Sequence, residues 1–356
     1  MSITGDDIRA AVGAGKISEA QATAIVALAD ARRGARENLD GLDEPFELFK
    51  GFNEIFIVVG LTILFVGWCG LTGVSAWLSG APEMPLLVFA VIGMAVLAAL
   101  AGYFTKRRRM VAPSIALSIM FAISALQAGW VLGSWFAQEE GIIILAAAVT
   151  TLCLLGWWGL FRIPFALLLV ALGAYVTAFS ATSLAGVEFR RWQDAFLLSD
   201  NAAFAWVTLA MGLLGLVLAL RFDMSDPHRV TRRTAQAFWL HVISAPAIVN
   251  TVAFTLFQQG GAAAYIILSG FLLLMALFAI VIDRRSFLIS GIGYVVALVA
   301  IVAEGNTWAF ILLLGVFLVA LGAFWESIRG AIMAALPRFP GKDNLPPWTR
   351  PREFSA

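Results

Sequence analysis

Charge is scarce in this chain. Asp, Glu, Lys and Arg make up 13% of its 356 residues, against 61% hydrophobic ones, where ordinary soluble domains carry roughly 25% charge. Water is the wrong solvent for most of such a sequence. The only cysteines, Cys69 and Cys153, each sit inside an apolar run. They read as buried, inert thiols, with no disulfide scaffold and no thiolate metal site. Glycine-rich phosphate loops, His-Glu-x-x-His and carboxylate triads are missing. Gly291 and Gly293 do form a Gly-x-Gly, but inside an apolar stretch, where close helix packing explains them better than nucleotide binding. The apolar interiors hold almost no titratable groups, so they offer no converging acid–base pair. This argues against a membrane-embedded hydrolase or metalloenzyme, and no cofactor is expected. The same scarcity speaks against sodium- or proton-coupled carriage and against voltage sensing. The net charge of +1 hides a segregation in which basic residues lie between the apolar runs. No single basic face for nucleic acid results, and no nucleic-acid partner is expected.

What the chain does have is ten apolar runs, at approximately 54–78, 85–105, 111–136, 141–160, 164–184, 201–220, 236–257, 262–282, 287–304 and 307–328. Most reach the ~17–25 residues that cross a hydrocarbon layer as helix. A backbone in lipid can satisfy itself only as helix or closed barrel, and runs this uniformly apolar lack the alternation of barrel strands. The fold class expected is therefore all-α, a polytopic membrane helix bundle of about ten transmembrane helices. The least secure pair is 141–160 and 164–184, separated only by Arg162, Ile163 and Pro164. A merged or re-entrant pair is the alternative there.

Three regions follow. Residues 1–50 form a polar cap, 51–328 the membrane bundle, and 329–356 a Pro-rich tail. In the cap, Ile8, Ala11 and Val12 make a short apolar stripe that Gly13 to Gly15 break. Ser18 followed by Gln21 is then a capping box that starts a second helix through Ile25, Val26 and Leu28. A helical hairpin this short cannot own a core. Asp6, Asp7, Glu19, Asp30 and Glu37 rule out a signal-peptide reading, so insertion through the first span without cleavage is expected. Phe46, Phe49 and Phe52 beside Lys50 suit either a headgroup-level segment or simple continuation into the first helix. In the tail, Pro337, Pro340, Pro346, Pro347 and Pro351 prevent further helix and favour an extended or disordered end.

Charge placement tests the helix count independently. With the N-terminus inside, every Lys and Arg among the 24 falls in an inner segment except Arg190 and Arg191. Glu83, Glu139, Glu140, Glu188, Asp194, Asp200 and Glu304 fall outside. This is the positive-inside pattern, and it places both termini in the cytoplasm. Trp77, Trp135, Trp192 and Trp308 near the outer surface, and Trp239 and Trp325 near the inner one, read as interface anchors. Arginine-bearing inner turns recur at 105–109, 161–164 and 283–285, and Ala171–Val176 loosely echoes Gly291–Val295. Stacked helical hairpins from duplication would produce this; so would apolar composition with the charge bias.

The segment Gly15-Lys16-Ile17-Ser18-Glu19-Ala20-Gln21-Ala22 resembles the N-terminal hairpin of predicted bacterial inner-membrane proteins of unknown function. Arg232-Arg233-Thr234-Ala235-Gln236-Ala237-Phe238-Trp239-Leu240-His241-Val242-Ile243-Ser244-Ala245-Pro246 and Asn344-Leu345-Pro346-Pro347 are similar to segments of related uncharacterised proteins. The resemblance covers short pieces only. It implies an inner-membrane setting and carries over no catalytic residue.

If the bundle holds a polar site, the run 236–257 is where it is expected. His241, Ser244 and Thr251 fall on one broad helical face. Pro246 interrupts that face and frees carbonyls that need partners. Asn250 lies roughly opposite His241. Either His241, Ser244 and the carbonyls near Pro246 line a water-filled or solute cavity, or these residues are helix–helix glue. Glu54 reads as a solvated cap of the first span. Asp283 beside Arg284 and Arg285, and Glu326 one turn from Arg329, read as local ion pairs at the rim. Three functional classes remain. The first is a structural or accessory membrane protein, docking a cytoplasmic or membrane partner through residues 1–50. The second is a transporter or channel for a small neutral solute or lipid, its path lined by neutral residues such as Ser124, Gln127, Thr150, Thr177 and Ser269 and its helices broken at Pro113, Pro164 and Pro246. The third is an enzyme acting on a lipid-borne substrate. Membrane lipids are the partners common to all three.

Overall fold

A computed structural model describes residues 5–18, 53–199, 202–227, 231–302 and 307–348, with the single positions 21, 22, 24, 25, 28 and 229. The chain divides into two units, Met1–Pro45 and Phe46–Ala356. In the first, α1 (Gly5–Gly13) ends in a turn with Gly15 at φ 65°, a conformation that costs glycine nothing. The capping box is present: Gln21 N–H donates to Ser18 Oγ at 3.2 Å and Ser18 N–H to Gln21 Oε1 at 2.9 Å. Helical positions follow it as far as Leu28. The Phe46–Phe52 stretch lies outside the described residues.

The second unit is the all-α membrane bundle that the apolar runs require. Its helices are α2 (Asn53–Leu78), α3 (Glu83–Ala101, prolonged by a π-helical turn Gly102–Arg107), α4 (Val111–Phe136), α5 (Glu139–Phe161), α6 (Pro164–Leu184), α7 (Ala203–Met224), α8 (Arg232–Gln259), α9 (Gly261–Ile282), α10 (Ser286–Val302), α11 (Thr307–Ala323) and α12 (Trp325–Ala335). Among the described residues eight helices, α2 to α9, are long and apolar enough to cross a membrane. The ninth run forms α10, only 17 residues long. The tenth is not straight: it breaks at Phe324, and Gly315–Ala323 and Trp325–Ala335 meet at 78°. The bend has a sequence cause. Past Ala323 the pattern becomes amphipathic, and α12 buries Trp325, Arg329 and Met333, which it can do only by leaving the axis of α11.

The pair 141–160 and 164–184 is two separate helices. Arg162 takes the left-handed conformation (φ 51°), Ile163 is extended and Pro164 opens α6 at its first turn, where its missing N–H costs nothing. The same device recurs along the chain. Arg109, Arg162, Arg229 and Asp283 are the non-glycine residues at positive φ among those described, one in each turn α3–α4, α5–α6, α7–α8 and α9–α10. Of the alternate turns, α2–α3 uses Gly80, α6–α7 Gly186 and α8–α9 Gly260 and Gly261, while α4–α5 is extended at Ala137 and Gln138. One end of the bundle thus carries charged side chains at strained positions, and the other carries glycine or extended backbone.

Two helices are enclosed. In the spanning windows of α4 and α8, 50% and 56% of residues are buried, against 11–28% elsewhere. α4 packs on α2, α3 and α5, and α8 on α6, α7, α9 and α10. Small residues allow these approaches: a methyl added at Gly129 would lie 2.7 Å from the Ala146 carbonyl oxygen on α5, and one at Gly215 on α7 would lie 2.4 Å from Ser244 Oγ on α8. Such close seams are how helices associate in lipid, which offers no hydrophobic drive between them. The helices' outer faces carry exposed residues such as Phe56, Leu64, Ile266 and Leu273, the surface that lipid contacts.

The tail does not simply leave the bundle. Arg329 donates from Nη2 to Pro346 O (2.6 Å) and from Nη1 to Pro347 O (3.0 Å), and Lys342 Nζ to Met333 O and Leu336 O, both at 2.7 Å. Lys342 therefore closes the free carbonyls at the C-terminus of α12. Prolines do keep residues 336–348 out of helix apart from the 3-10 turn Lys342–Asn344, but side chains of α12 hold that segment in place.

Candidate functional site

The polar chemistry of the second unit gathers where α7 ends, α8 begins and α9 turns into α10. Asp223, in the last turn of α7, is buried (4% exposed). Its Oδ2 lies 2.8 Å from His241 Nε2 on α8 and accepts from Arg284 Nε at 3.1 Å; its Oδ1 accepts from Arg284 Nη2. His241 is 0% exposed and Arg284 9%. Arg284 also donates to Thr234 O at 3.0 Å. With both carboxylate oxygens accepting, the proton between Asp223 and His241 belongs on Nε2. His241 Nδ1 has no hydrogen-bond partner, and the ring meets Phe287 edge-on at 6.0 Å. A carboxylate in this depth of protein is tolerable only because a planar, two-pronged cation matches it.

Further contacts secure the cluster. Asp226 Oδ2 accepts from Thr231 N, Thr231 Oγ1 and Thr234 Oγ1, each at 2.8 Å, ahead of the α8 N-terminus. Arg229 Nη2 contacts Asp283 Oδ2 at 2.9 Å, and Trp325 Nε1 donates to Asp283 Oδ1 at 2.6 Å. Arg329 Nε reaches Ile280 O at 3.1 Å. Charged and aromatic groups therefore tie α7, α8, the α9–α10 turn and α12 together at one end.

Of the residues singled out on α8, only His241 enters this cluster. Ser244 and Thr251 are fully buried, but their hydroxyls donate to carbonyls one turn back, Leu240 O at 2.8 Å and Ala247 O at 2.6 Å. Ser244 also forms the seam with Gly215. Pro246 lies within a helix that continues to Gln259. Asn250 is half-buried, half a turn away from His241. Asp283 and Arg284, expected to pair with neighbours, instead cross: Arg284 binds Asp223, 61 residues away, and Asp283 binds Arg229. Glu54 is not solvated; it is 1% exposed and accepts from Ala112 N at 3.2 Å, capping α4 as well as standing in the first turn of α2. Arg329 spends its donors on three carbonyls. Asp223 was the residue missed. The available signal was a carboxylate within one turn of the end of an apolar run, combined with a lone histidine inside the next.

The chain matches no family model, no curated protein and no solved structure. Asp223 is locked between two donors. A hollow of about 790 Å³ lies elsewhere, between α9, α10 and α11, lined by Tyr265, Leu272, Ala276, Val295, Leu298 and Phe317 among others. It is apolar, and the hydroxyl of Ser269 on its wall is committed to Tyr265 O at 2.8 Å. Exposed Ile266, Leu273 and Phe317 at its rim open it sideways to lipid. Among the described residues no three His, Cys, Asp or Glu side chains are placed to hold a metal ion.

Proposed function

We propose that this chain is an accessory protein of the bacterial inner membrane, a rigid multi-pass platform with both termini in the cytoplasm that docks a protein partner through residues 1–50. The observation that supports it best is the use made of its polar side chains. Along the spans, Ser118, Thr150, Thr151, Thr177, Ser244, Thr251 and Thr255 donate to carbonyls of their own helix. Gln127 reaches Leu86 O at 3.0 Å. Hydroxyl protons spent on their own backbone are not available to guide a polar solute. The charge bias supports the orientation, and the resemblance of the N-terminal segment supports the inner-membrane setting. Ile25 and Leu28 are exposed, the kind of apolar contact a partner helix takes. A photo-crosslinker at position 28 in cells should give one stoichiometric adduct that I17S/I25S abolishes while the membrane body stays folded. Equal crosslinking to many proteins would defeat the docking reading.

One observation favours a second reading, movement of lipid. The apolar hollow between α9, α10 and α11 opens laterally and is large enough for hydrocarbon. Vesicles reconstituted with the full chain and a fluorescent phospholipid distinguish the two: an increase in transbilayer exchange over empty vesicles would select lipid movement.

A further inference from the structure

We propose that α3–α6 and α7–α10 are tandem copies of one four-helix unit, and that the cluster of Asp223, His241 and Arg284 replaces an apolar contact that the first copy keeps. Both sets pack in the same pattern. The second helix of each, α4 or α8, is the enclosed one and touches the other three, and the third packs on the fourth. Each set also leans on the helix before it: α2 packs on α3 and α4, and α6 on α7 and α8. Equivalent helices are four apart, so both copies stand the same way up, as parallel membrane repeats do. Particular residues mark the correspondence. The enclosed helix follows a left-handed arginine, Arg109 or Arg229, and a left-handed residue stands again before the fourth helix, Arg162 or Asp283; the first pair is 120 residues apart and the second 121. Fifteen residues past each arginine comes a buried serine, Ser124 or Ser244, facing a glycine on the first helix. A methyl at Gly93 would lie 3.5 Å from Ser124 Oγ, and one at Gly215 2.4 Å from Ser244 Oγ. Charge bias explains arginine in inner turns, and small residues suit any seam. Neither sets the interval from turn to seam, which is the same in both halves.

The correspondence extends to the ion cluster. Asp223 lies eight residues past Gly215, where the first copy has Ala101 past Gly93. His241 lies three before Ser244, where it has Phe121 before Ser124, and Arg284 directly follows the left-handed Asp283, where it has Ile163 after Arg162. These three counterparts also meet in space. Ala101 and Ile163, 0% and 1% exposed, belong to one apolar core against which Phe121 packs. An aromatic backs both places, five residues before the left-handed turn: Trp157 stacks on Phe121 at 4.3 Å, and Phe278 meets Phe287 at 5.1 Å, which in turn meets His241. The register set by turns and seams thus carries three ionisable residues, scattered over three helices and a turn, onto three residues that share a core. Unrelated helices have no reason to do so. Between seam and turn the first copy is two residues longer, and there it winds into the π-helical turn Gly102–Arg107. The unit therefore closes at this place with apolar side chains alone, in keeping with the finding that buried ion pairs can often be replaced by well-packed apolar residues. The charges distinguish the second copy and are not what its fold requires.

The test exchanges residues between the copies in the full chain, with the folding equilibrium read by steric trapping in bicelles. D223A alone strands Arg284 without a carboxylate and should lower the folding equilibrium constant roughly 100-fold or more. The matched variant D223A/H241F/R284I installs the first copy's residues and should return to within about tenfold of wild type. D223I/H241F/R284A has the same composition with two residues exchanged, which puts the large side chain where the first copy holds alanine, and should lie at least about tenfold below the matched variant. Equal stability of the two triple variants, or a matched variant that is no better than D223A or does not fold, would overturn the correspondence. The reverse exchange tests it independently. A101D should strongly destabilise the first copy, and I163R added to it should recover about tenfold or more. An I163R that brings no recovery would show that the two places are not equivalent.

Discussion

Replacing Asp223 by Asn tests the account of the buried cluster most directly. The substitution keeps the shape and removes the charge that Arg284 and His241 share. Arg284, 9% exposed, would keep its bond to Thr234 O and at most one to the introduced amide oxygen, and stay buried without an anion. Breaking a buried pair by removing one partner costs about 3–5 kcal/mol, and the surviving carbonyl bond places D223N at the lower end, about 3 kcal/mol. H241A should cost less, about 1–3 kcal/mol, because Asp223 keeps both bonds to Arg284. The double variant D223N/R284M removes both charges and should recover to within about 1 kcal/mol of wild type. The Arg190–Glu188 pair provides the contrast. Its contact is also close, 2.7 Å, but its side chains are 77% and 71% exposed, and R190Q should cost under about 0.5 kcal/mol. Equilibrium unfolding by steric trapping in bicelles measures all four. A D223N loss below about 1 kcal/mol, or a double variant no better than D223N, would show that the buried charges are not coupled as described.

The other predictions concern packing, turns, the tail and sidedness. G215A should destabilise by about 1–3 kcal/mol, since its methyl would meet Ser244 Oγ, and S244A should restore most of that loss; an equal cost with and without Ser244 would refute the seam. At the left-handed turn positions, R162G exchanges a relieved strain of about 1 kcal/mol for a lost cation–π contact of similar size, and should be near neutral in the same unfolding assay. D283G loses its contacts with Arg229 and Trp325 and should be clearly destabilising, so matching values would contradict the assignment. R329A frees residues 336–348, and trypsin should then cut at Lys342 much faster than in wild type; unchanged rates would mean the tail is held by something else. With Cys69 and Cys153 replaced, single cysteines at positions 107 and 231 should be shielded from an impermeant reagent in sealed cells, and those at 139 and 190 should react. External labelling at 231 would reverse the proposed orientation.

Hydropathy made the bundle legible because crossing a membrane is a local requirement, which each run of α2 to α9 meets by itself. The break between α5 and α6 was visible in Arg162-Ile163-Pro164, since a proline after a non-helical residue opens a helix whatever surrounds it. Contacts between helices were not legible. Nothing near Asp223 in the chain announces that its cation is Arg284, and Glu54 lies 58 residues from the amide it accepts; both depend on the register at which distant helices pack. The bend at Phe324 was missed because the apolar run, read as far as 328, overlaps the start of the amphipathic α12. Helical spacing grouped His241, Ser244 and Thr251 correctly on the interior of α8. It could not tell that two of the three hydroxyl or imidazole groups would turn back to their own backbone.

The cluster also has an order in time. Synthesis delivers Asp223 first and His241 eighteen residues later, on the hairpin α7–α8, so the carboxylate can find the imidazole as soon as that hairpin inserts. Arg284 emerges only after α9 has been made. Until then the hairpin carries an acid whose strong partner does not yet exist. Arrival of the α9–α10 turn adds a two-pronged ion pair to that pairing and ties the turn to the end of α7. The second half of the bundle is thus closed by its own late-made arginine, and a chain stopped before residue 284 would be left with its latch unfastened.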